Sequence, residues 1–467
     1  MAETFSVITP VDGSVYTQRT FATGAEIAEA VRKAKKAQLE WKRVPLAERM
    51  ARCQKAVDIL VSRAGPLGEE VTWQMGRPLH VAAAEITSGY QRRARHFISL
   101  ARNILAPVEL PEERGVTRFI RHEPLGIVLS IITWNYPYAN ATLASLYPLV
   151  AGNAVLLKHS PQSPTVAEQV ARAFTEAGVP DGALQALHLT NEDTGRLIGS
   201  GDIQHVEFIG SNMAGQAIVA AGAHARVSYS LEMGGKDPGY VRPDADIDAT
   251  AKTMAYDFTD NSGQSCCALG RIYVHEQVYD RFVEAFRESA AKITLGHPIE
   301  EKPDIGPVVS VAAANKMRGQ LADARSKGGR LLLPENRFDI ARPGTAYIEP
   351  QVVFDANHMM DLATKETFGP LICVTKVSSD DAAVELMNDT EFGLTASVWT
   401  KDVDAAMRIG DQISSGTFLL NRCNHSDINL PWGGRKTSGL GYVGGELGYL
   451  RVTTPRGYHL HTGFAED

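Results

Sequence analysis

The sequence predicts an α/β protein with two domains in series, and three observations carry that reading. From residue 125 onward, short apolar runs alternate with amphipathic segments, at intervals that suit parallel strands covered by helices. The chain has 467 residues, enough for two or three domains of roughly 150 residues each. Its composition is that of a globular chain: 44% hydrophobic, 22% charged and 7% aromatic.

The elements follow in order. Ala25 to Leu60 carries Ile27, Ala30, Val31, Ala34, Ala37 and Trp41 at three- and four-residue steps, which predicts helix across the first hundred residues. Pro45 breaks the pattern and a second helix starts near Leu46. Gly115 to His122 alternates like a half-exposed strand. Strands are predicted at Ile127 to Ile132, Ala154 to Leu157, His205 to Ile209 and Arg226 to Leu231, with helices at Pro164 to Ala177 and Ala214 to Ala221. The alternation then repeats: helix from Ile247 to Asp260, strand Arg271 to His275, helices Val278 to Ala290 and Ala312 to Lys327. Strands near Leu371 to Val374 and Ala396 to Trp399 complete it.

Several function classes fall away. Lys plus Arg number 47 against 54 Asp plus Glu, a net charge of −7, so no broad basic surface is on offer and nucleic acid is not an expected partner. Five cysteines cannot close a disulfide framework and point to a reducing, cytoplasmic setting. No basic-then-apolar leader is visible in Met1 to Pro10. Pro124 to Leu157 lacks charge, but Asn135, Pro137, Asn140, Pro148 and Asn153 interrupt it, so a buried strand, loop, helix and strand is expected and no membrane partner. No metal is expected, because the cysteines and histidines lack paired ligand spacing.

Four motifs could carry chemistry. Cys266 in Gly263-Gln264-Ser265-Cys266-Cys267 follows a glycine turn, where backbone N–H groups favour a thiolate; a buried inert thiol is the alternative. Glu232 ends an apolar strand before Gly234 and Gly235, at the end where open α/β sheets bind ligands; a surface pair with Lys236 is the alternative. Asn135 follows the strand Ile127 to Ile132 and could donate to an oxyanion or simply make a turn. Phe208-Ile209-Gly210-Ser211 runs into a helix whose N-terminus could face a phosphate, and alone it is a weak signal.

Taken together, the motifs resemble the aldehyde dehydrogenase superfamily almost end to end. The matching pieces are Pro124-Leu125-Gly126, Trp134-Asn135-Tyr136-Pro137, Ala151-Gly152-Asn153 with Lys158, Phe208-Ile209-Gly210-Ser211 and Leu231-Glu232-Met233-Gly234-Gly235-Lys236. Gly263-Gln264-Ser265-Cys266, Glu366-Thr367-Phe368-Gly369-Pro370 and Pro431-Trp432-Gly433-Gly434-Arg435-Lys436 continue the series. Glu232 and Cys266 also stand 34 residues apart, as in that family.

The resemblance implies a Rossmann-like NAD(P)-binding domain (1–105 and 125–231) and a second α/β catalytic domain (232–435). It also implies a small β oligomerisation arm (106–124 and 451–467) and a return segment (436–450) packing on the cofactor domain. A half-exposed arm strand left alone would be an unprotected edge, so a homodimer or homotetramer is expected. By resemblance, Cys266 attacks the aldehyde, Asn135 with the Cys266 N–H holds the oxyanion, and Glu232 activates the water that hydrolyses the thioester. Cys267 is assigned to packing with its side chain turned away. Trp134, Lys158, Gly210, Ser211, Gly215, Glu366 and Phe368 are implied around the cofactor.

Two positions depart from the family pattern. Many NAD-preferring members have Glu where this chain has Pro161; without that carboxylate NAD is expected and NADP is also admitted. The aldehyde tunnel carries Tyr136, Asn140, Asp260, Asn424, His425 and Ser426, whose polar groups need water or a polar substrate. A small polar aldehyde, a semialdehyde or an aminoaldehyde, is therefore expected, with Asp260 either a counter-charge or bonded to its own loop. A coenzyme A-acylating relative or a non-catalytic binding protein on this scaffold are the alternatives, and the presence of Glu232 and Cys266 weighs against both.

Overall fold

A computed structural model describes residues 3–111 and 113–461, without the side chains of Thr142 and Leu143. Residues 462–467, the end of the expected arm, lie outside the described residues. Two large sheets organise the chain. The first has six strands in the order Gly439–Leu440, Ser228–Glu232, His205–Ile209, Ile127–Ile132, Ala154–His159 and Leu184–Ala186. All pairings are parallel except that of Gly439–Leu440 with Ser228–Glu232. The chain steps outward from Ile127–Ile132 to Leu184–Ala186, then returns to lay His205–Ile209 on the other side. The strand order therefore reverses beside Ile127–Ile132, where open α/β sheets hold ligands at their carboxyl ends.

The second sheet has seven strands: Arg330–Leu331, Gln351–Phe354, Leu371–Val377, Leu269–His275, Asp237–Val241, Thr395–Trp399 and Thr417–Leu420. Asp237–Val241 was not legible, because Asp237-Pro238-Gly239 has the composition of a turn. It nonetheless lies between two parallel partners, and the register slips between Asp237 and Pro238, where the proline's missing N–H would interrupt the ladder. A third sheet pairs Thr453–His461 with Val116–Pro124 along nine residues, and Val108–Glu109 flanks it.

The helices fall close to expectation: Gly24–Trp41, Leu46–Ser62, Pro164–Glu176, Asn212–Ala221, Ile247–Asp257, Tyr279–Ala290 and Val311–Ser326. The start of the chain does not. Thr4–Ile8 and Val15–Thr20 form an antiparallel hairpin ahead of the predicted helices, with Phe5 packed on Phe21 at 4.6 Å between ring centres.

The uncharged run has a physical reason. Strands Ile127–Ile132 and Ala154–His159 are buried at every position, and helix Pro137–Ala151 between them packs in the largest apolar cluster. The helix's last carbonyls, which lack intrahelical partners, accept from Trp41 Nε1 (Leu149 O, 2.8 Å) and Arg49 Nε (Val150 O, 2.9 Å). No helix among the described residues is long and apolar enough to cross a membrane.

Candidate active site

The loop after strand Ile127–Ile132 meets the loop before Leu269–His275 and the helical segment 77–97 around one cavity of about 890 Å³. Cys266 lies on its wall, partly exposed. The loop that presents it is strained: Asn261 and Ser262 adopt left-handed φ of 52° and 56°, at about 1–3 kcal/mol each for non-glycine residues. Three contacts compensate. Asn261 Nδ2 donates to Asn135 O at 2.8 Å, Arg77 Nε donates to Asn261 Oδ1 at 2.9 Å, and Ser262 Oγ donates to Gly306 O at 3.1 Å. Gly263, at φ 69°, has to be glycine, since a Cβ there would lie 2.3 Å from Gly369 O.

Asn135 is buried against this loop, and its Nδ2 donates to Gln264 O at 3.0 Å. A primary amide has two N–H donors, so one stays available. Its Oδ1 accepts from Asn140 Nδ2 at 3.2 Å, which fixes the amide's orientation. Its backbone carbonyl accepts from Arg77 Nη2 at 3.0 Å as well as from Asn261. Arg77 is itself buried, paired with Glu85 and seated 4.7 Å over the Tyr136 ring. Glu85 opens a π-helical turn, Glu85–Tyr90, and its Oε1 accepts from the N–H groups of Tyr138 and Ala139 at the start of Pro137–Ala151.

Glu232 ends its strand 4% exposed, and neither carboxylate oxygen has a hydrogen-bond partner among the described residues. Burial, then the charge of Glu207, pushes its pKa well above the usual carboxylate range. The Cys266 thiol is also pushed up, first by a hydrogen bond with Cys267, then by burial and the neighbouring acids. Cys267 therefore does not turn away as expected. Its Sγ donates to Asn424 Oδ1 at 3.4 Å, and it lines the same cavity as Cys266.

The expected tunnel residues divide. Tyr136, Asn140, Asp260, Asn424 and Ser426 line the cavity; His425 is not among its lining residues. Asp260 accepts from Tyr136 Oη at 2.9 Å and Asn424 Nδ2 at 3.4 Å, so its carboxylate is engaged with its neighbours. Sequence reasoning missed Arg93, which lies in an arginine-rich helix face that reads as solvated surface. It lines the cavity, and its guanidinium donates to Ser426 Oγ and Ser426 O, both at 3.3 Å.

A second group of expected residues gathers at the sheet's switch point. Lys158 is the penultimate residue of strand Ala154–His159, buried and without an ion pair among the described residues, and burial pushes its pKa down. Ser211 caps helix Asn212–Ala221, accepting from Ala214 N at 3.3 Å, and Gly210 precedes it. Beside it, the buried Asn212 Oδ1 has no partner among the described residues. Gly215 is a packing position, because a Cβ there would lie 2.2 Å from Met233 Sδ; it lets the helix start sit close to the strand end. Trp134 and Phe368 meet edge to face at 5.5 Å, and Glu366 accepts from Gly235 N at 3.2 Å. A buried cation at a strand end, a helix N-terminus after a glycine–serine turn, and an aromatic pair next to a carboxylate fit a dinucleotide.

Known proteins agree with this geometry. The profile of the aldehyde dehydrogenase family matches residues 1–456. The chain is 32% identical over 453 residues to the succinate-semialdehyde dehydrogenase [NADP(+)] of Deinococcus radiodurans, covering 97% of this chain and 94% of that one. It is 32% identical over 438 residues to a Mycobacterium tuberculosis protein of the same name, covering 93% and 95%. Among solved structures, the NADP-dependent glyceraldehyde-3-phosphate dehydrogenase of Bacillus halodurans superposes with a TM-score of 0.93 at 29% identity, covering 99% of this chain and 96% of that one. The succinic semialdehyde dehydrogenase of Streptococcus pyogenes superposes at 0.91 and 25% identity, covering 97% and 99%. The chain belongs to the aldehyde dehydrogenase family, and it is an NAD(P)-dependent enzyme that oxidises an aldehyde to its carboxylic acid.

Proposed function

We propose that this enzyme oxidises a small semialdehyde, with Cys266 as nucleophile, Asn135 as oxyanion donor and Glu232 as the base for hydrolysis. The observation that carries the chemistry is that the Asn135 amide bonds the carbonyl of Gln264, two residues before Cys266, which itself lines the cavity. Thiolate attack on the carbonyl carbon gives a thiohemiacetal whose oxyanion meets the free N–H of Asn135 and the Cys266 backbone N–H. When bound, NAD(P)+ supplies the hydride acceptor; Lys158, Ser211, Glu366, Trp134 and Phe368 are the residues that would hold it. Loss of hydride leaves a thioester on Cys266, and Glu232 takes a proton from the water that hydrolyses it. Because Cys266 is pushed up, acylation should quicken as pH rises and the thiolate fraction grows.

Cys266→Ser should abolish turnover while leaving cofactor binding intact, and Cys267→Ala should keep most of it. Glu232→Gln should still release a rapid burst of about one reduced cofactor per site, then stall with the acyl group visible on Cys266 by intact mass. Loss of the burst in a folded Glu232→Gln variant would contradict the hydrolytic role.

The substrate's polar end follows from Arg93. A partly buried guanidinium without an ion pair among the described residues favours a carboxylate, whereas Asp260 is already bonded to Tyr136 and Asn424. The names of the relatives, succinate-semialdehyde and succinic semialdehyde dehydrogenase, agree. NADP is the proposed cofactor, since Pro161 brings no carboxylate against a 2′-phosphate and Lys158 is a cation without an ion pair among the described residues. Arg93→Gln should raise KM for succinate semialdehyde roughly tenfold or more and leave that for butyraldehyde unchanged, a charge-assisted bond being worth about 1.5–3 kcal/mol. Equal effects on the two aldehydes would rule out the carboxylate contact.

The domains are proposed to follow the sheets, with the six-stranded sheet holding the cofactor and the three-stranded sheet serving as the oligomerisation arm. Strand Thr453–His461 is an edge nine residues long, and Val108, Leu110 and Leu460 are exposed on this arm. Light scattering at micromolar concentration should give a dimer or tetramer; a monomer would contradict the assignment.

A further inference from the structure

The carboxyl of Glu232 is buried without a hydrogen-bond partner among the described residues, yet a general base must release each proton it takes. A row of polar side chains leads away from it along one face of the six-stranded sheet. Strands His205–Ile209 and Ser228–Glu232 are parallel and in register, with His205 opposite Ser228, Glu207 opposite Ser230 and Ile209 opposite Glu232. Side chains alternate faces along a strand, so these positions share one face. The bond between His205 Nδ1 and Ser228 Oγ, 2.7 Å, shows that the first pair does. His205 Nε2 lies 3.2 Å from Glu207 Oε1, and both residues are buried. Ser228, at the far end, is exposed.

Glu207 and Glu232 sit on adjacent strands two residues out of step, roughly 8 Å apart at the backbone from the usual spacing and rise. Two glutamate side chains reach across such a gap through one water. Glu232 lies within electrostatic reach of both Cys266 and Glu207. A Glu–His pair buried at 5% and 0% exposure is a weak device for stability, since desolvation offsets its attraction.

We infer that Glu207 and His205 form a proton exit for Glu232, carrying the deacylation proton along the sheet face to solvent at Ser228. In that step the water oxygen bonds to the thioester carbon and the C–S bond breaks, its electron pair returning to Cys266 Sγ. One water proton goes to Glu232, while the proton of the new acid ends on Sγ, leaving a carboxylate product and a thiol. The proton on Glu232 passes to the Glu207 carboxyl and then to His205 Nε2. The Nδ1 proton leaves through Ser228 Oγ. No oxidant or further reactant is needed. Glu207 and His205 are relay residues here, acting on Glu232 and not on the aldehyde.

The inference rests on the proposed role of Glu232, and one set of rapid-mixing experiments separates the two. With succinate semialdehyde and NADP+, the full-length Glu207→Gln enzyme keeps the side chain's shape and a partner for His205, but it cannot carry a proton. The burst of reduced cofactor should keep its rate and amplitude, kcat should fall on the order of tenfold, and KM should fall with it. Imidazole buffer, entering through the cavity, should restore kcat. His205→Gln should give the same pattern and serves if Glu207→Gln does not fold. Unchanged kcat in either folded variant would overturn the relay, as would a burst that slows together with kcat, because a purely structural role predicts the latter. A Glu232→Gln enzyme without a burst would instead overturn the reading on which the relay rests.

Discussion

The buried guanidinium of Arg77 is the interaction on which the site depends. It reaches Glu85, Asn261 and the Asn135 carbonyl, and it stacks over Tyr136. Those four residues come from a π-helical turn, the strained cysteine loop and the loop after the central strand. None of these segments fixes the others through regular secondary structure. Asn135 and Asn261 instead share Arg77, and each also donates to the Gln264 carbonyl, two residues before Cys266. The left-handed Asn261 is thus held by side-chain bonds, which is how strain persists at a functional loop. Glu85 completes the arrangement, because burial raises its pKa and Arg77 opposes that rise, keeping a carboxylate available for the helix start at Tyr138 and Ala139.

Cys266 and Glu232 are both pushed toward their neutral forms, Cys266 first by its hydrogen bond with Cys267 and then by burial, Glu232 first by burial. A neutral thiol and a neutral carboxyl can coexist where two anions could not. Each becomes reactive only when a proton is taken from it. Several polar groups of the cavity bond one another: Tyr136 and Asn424 bond Asp260, and Asn424 accepts from Ser265 at 2.9 Å. Arg93, by contrast, has two long bonds to Ser426 and no ion pair among the described residues.

Much of this was legible in the sequence, for identifiable reasons. The strands that are buried on both faces, Ile127–Ile132 above all, read as continuous apolar runs. Glu232 and Asn135 stand at or just after such runs and Cys266 follows a glycine turn, so their placement followed from local pattern and resemblance together. Where tertiary context overrode local chemistry, the reading failed. Asp237–Val241 looks like a turn and is a central strand, because its neighbours supply the ladder on both sides. Arg77, Glu85 and Arg93 carry no local signature, since a charged residue on a helix gives no sign of which loop will fold over it. Glu207 did leave a trace: it is a carboxylate inside the strand His-Val-Glu-Phe-Ile, where a charge needs a reason.

The most direct test of this account is a double-mutant cycle on Arg77 and Glu85, read by both unfolding and the acylation burst. Arg77→Met leaves Glu85 buried without its partner, so stability should fall by about 3–5 kcal/mol. The burst should slow at least tenfold or so, as Asn135 loses its anchor. Adding Glu85→Gln should return much of the stability without returning the burst, because the charge is relieved while the Asn135 carbonyl and Asn261 still lack the guanidinium that ties them together. A folded Arg77→Met enzyme with an unchanged burst rate would contradict the claim that this guanidinium sets the oxyanion donor in place.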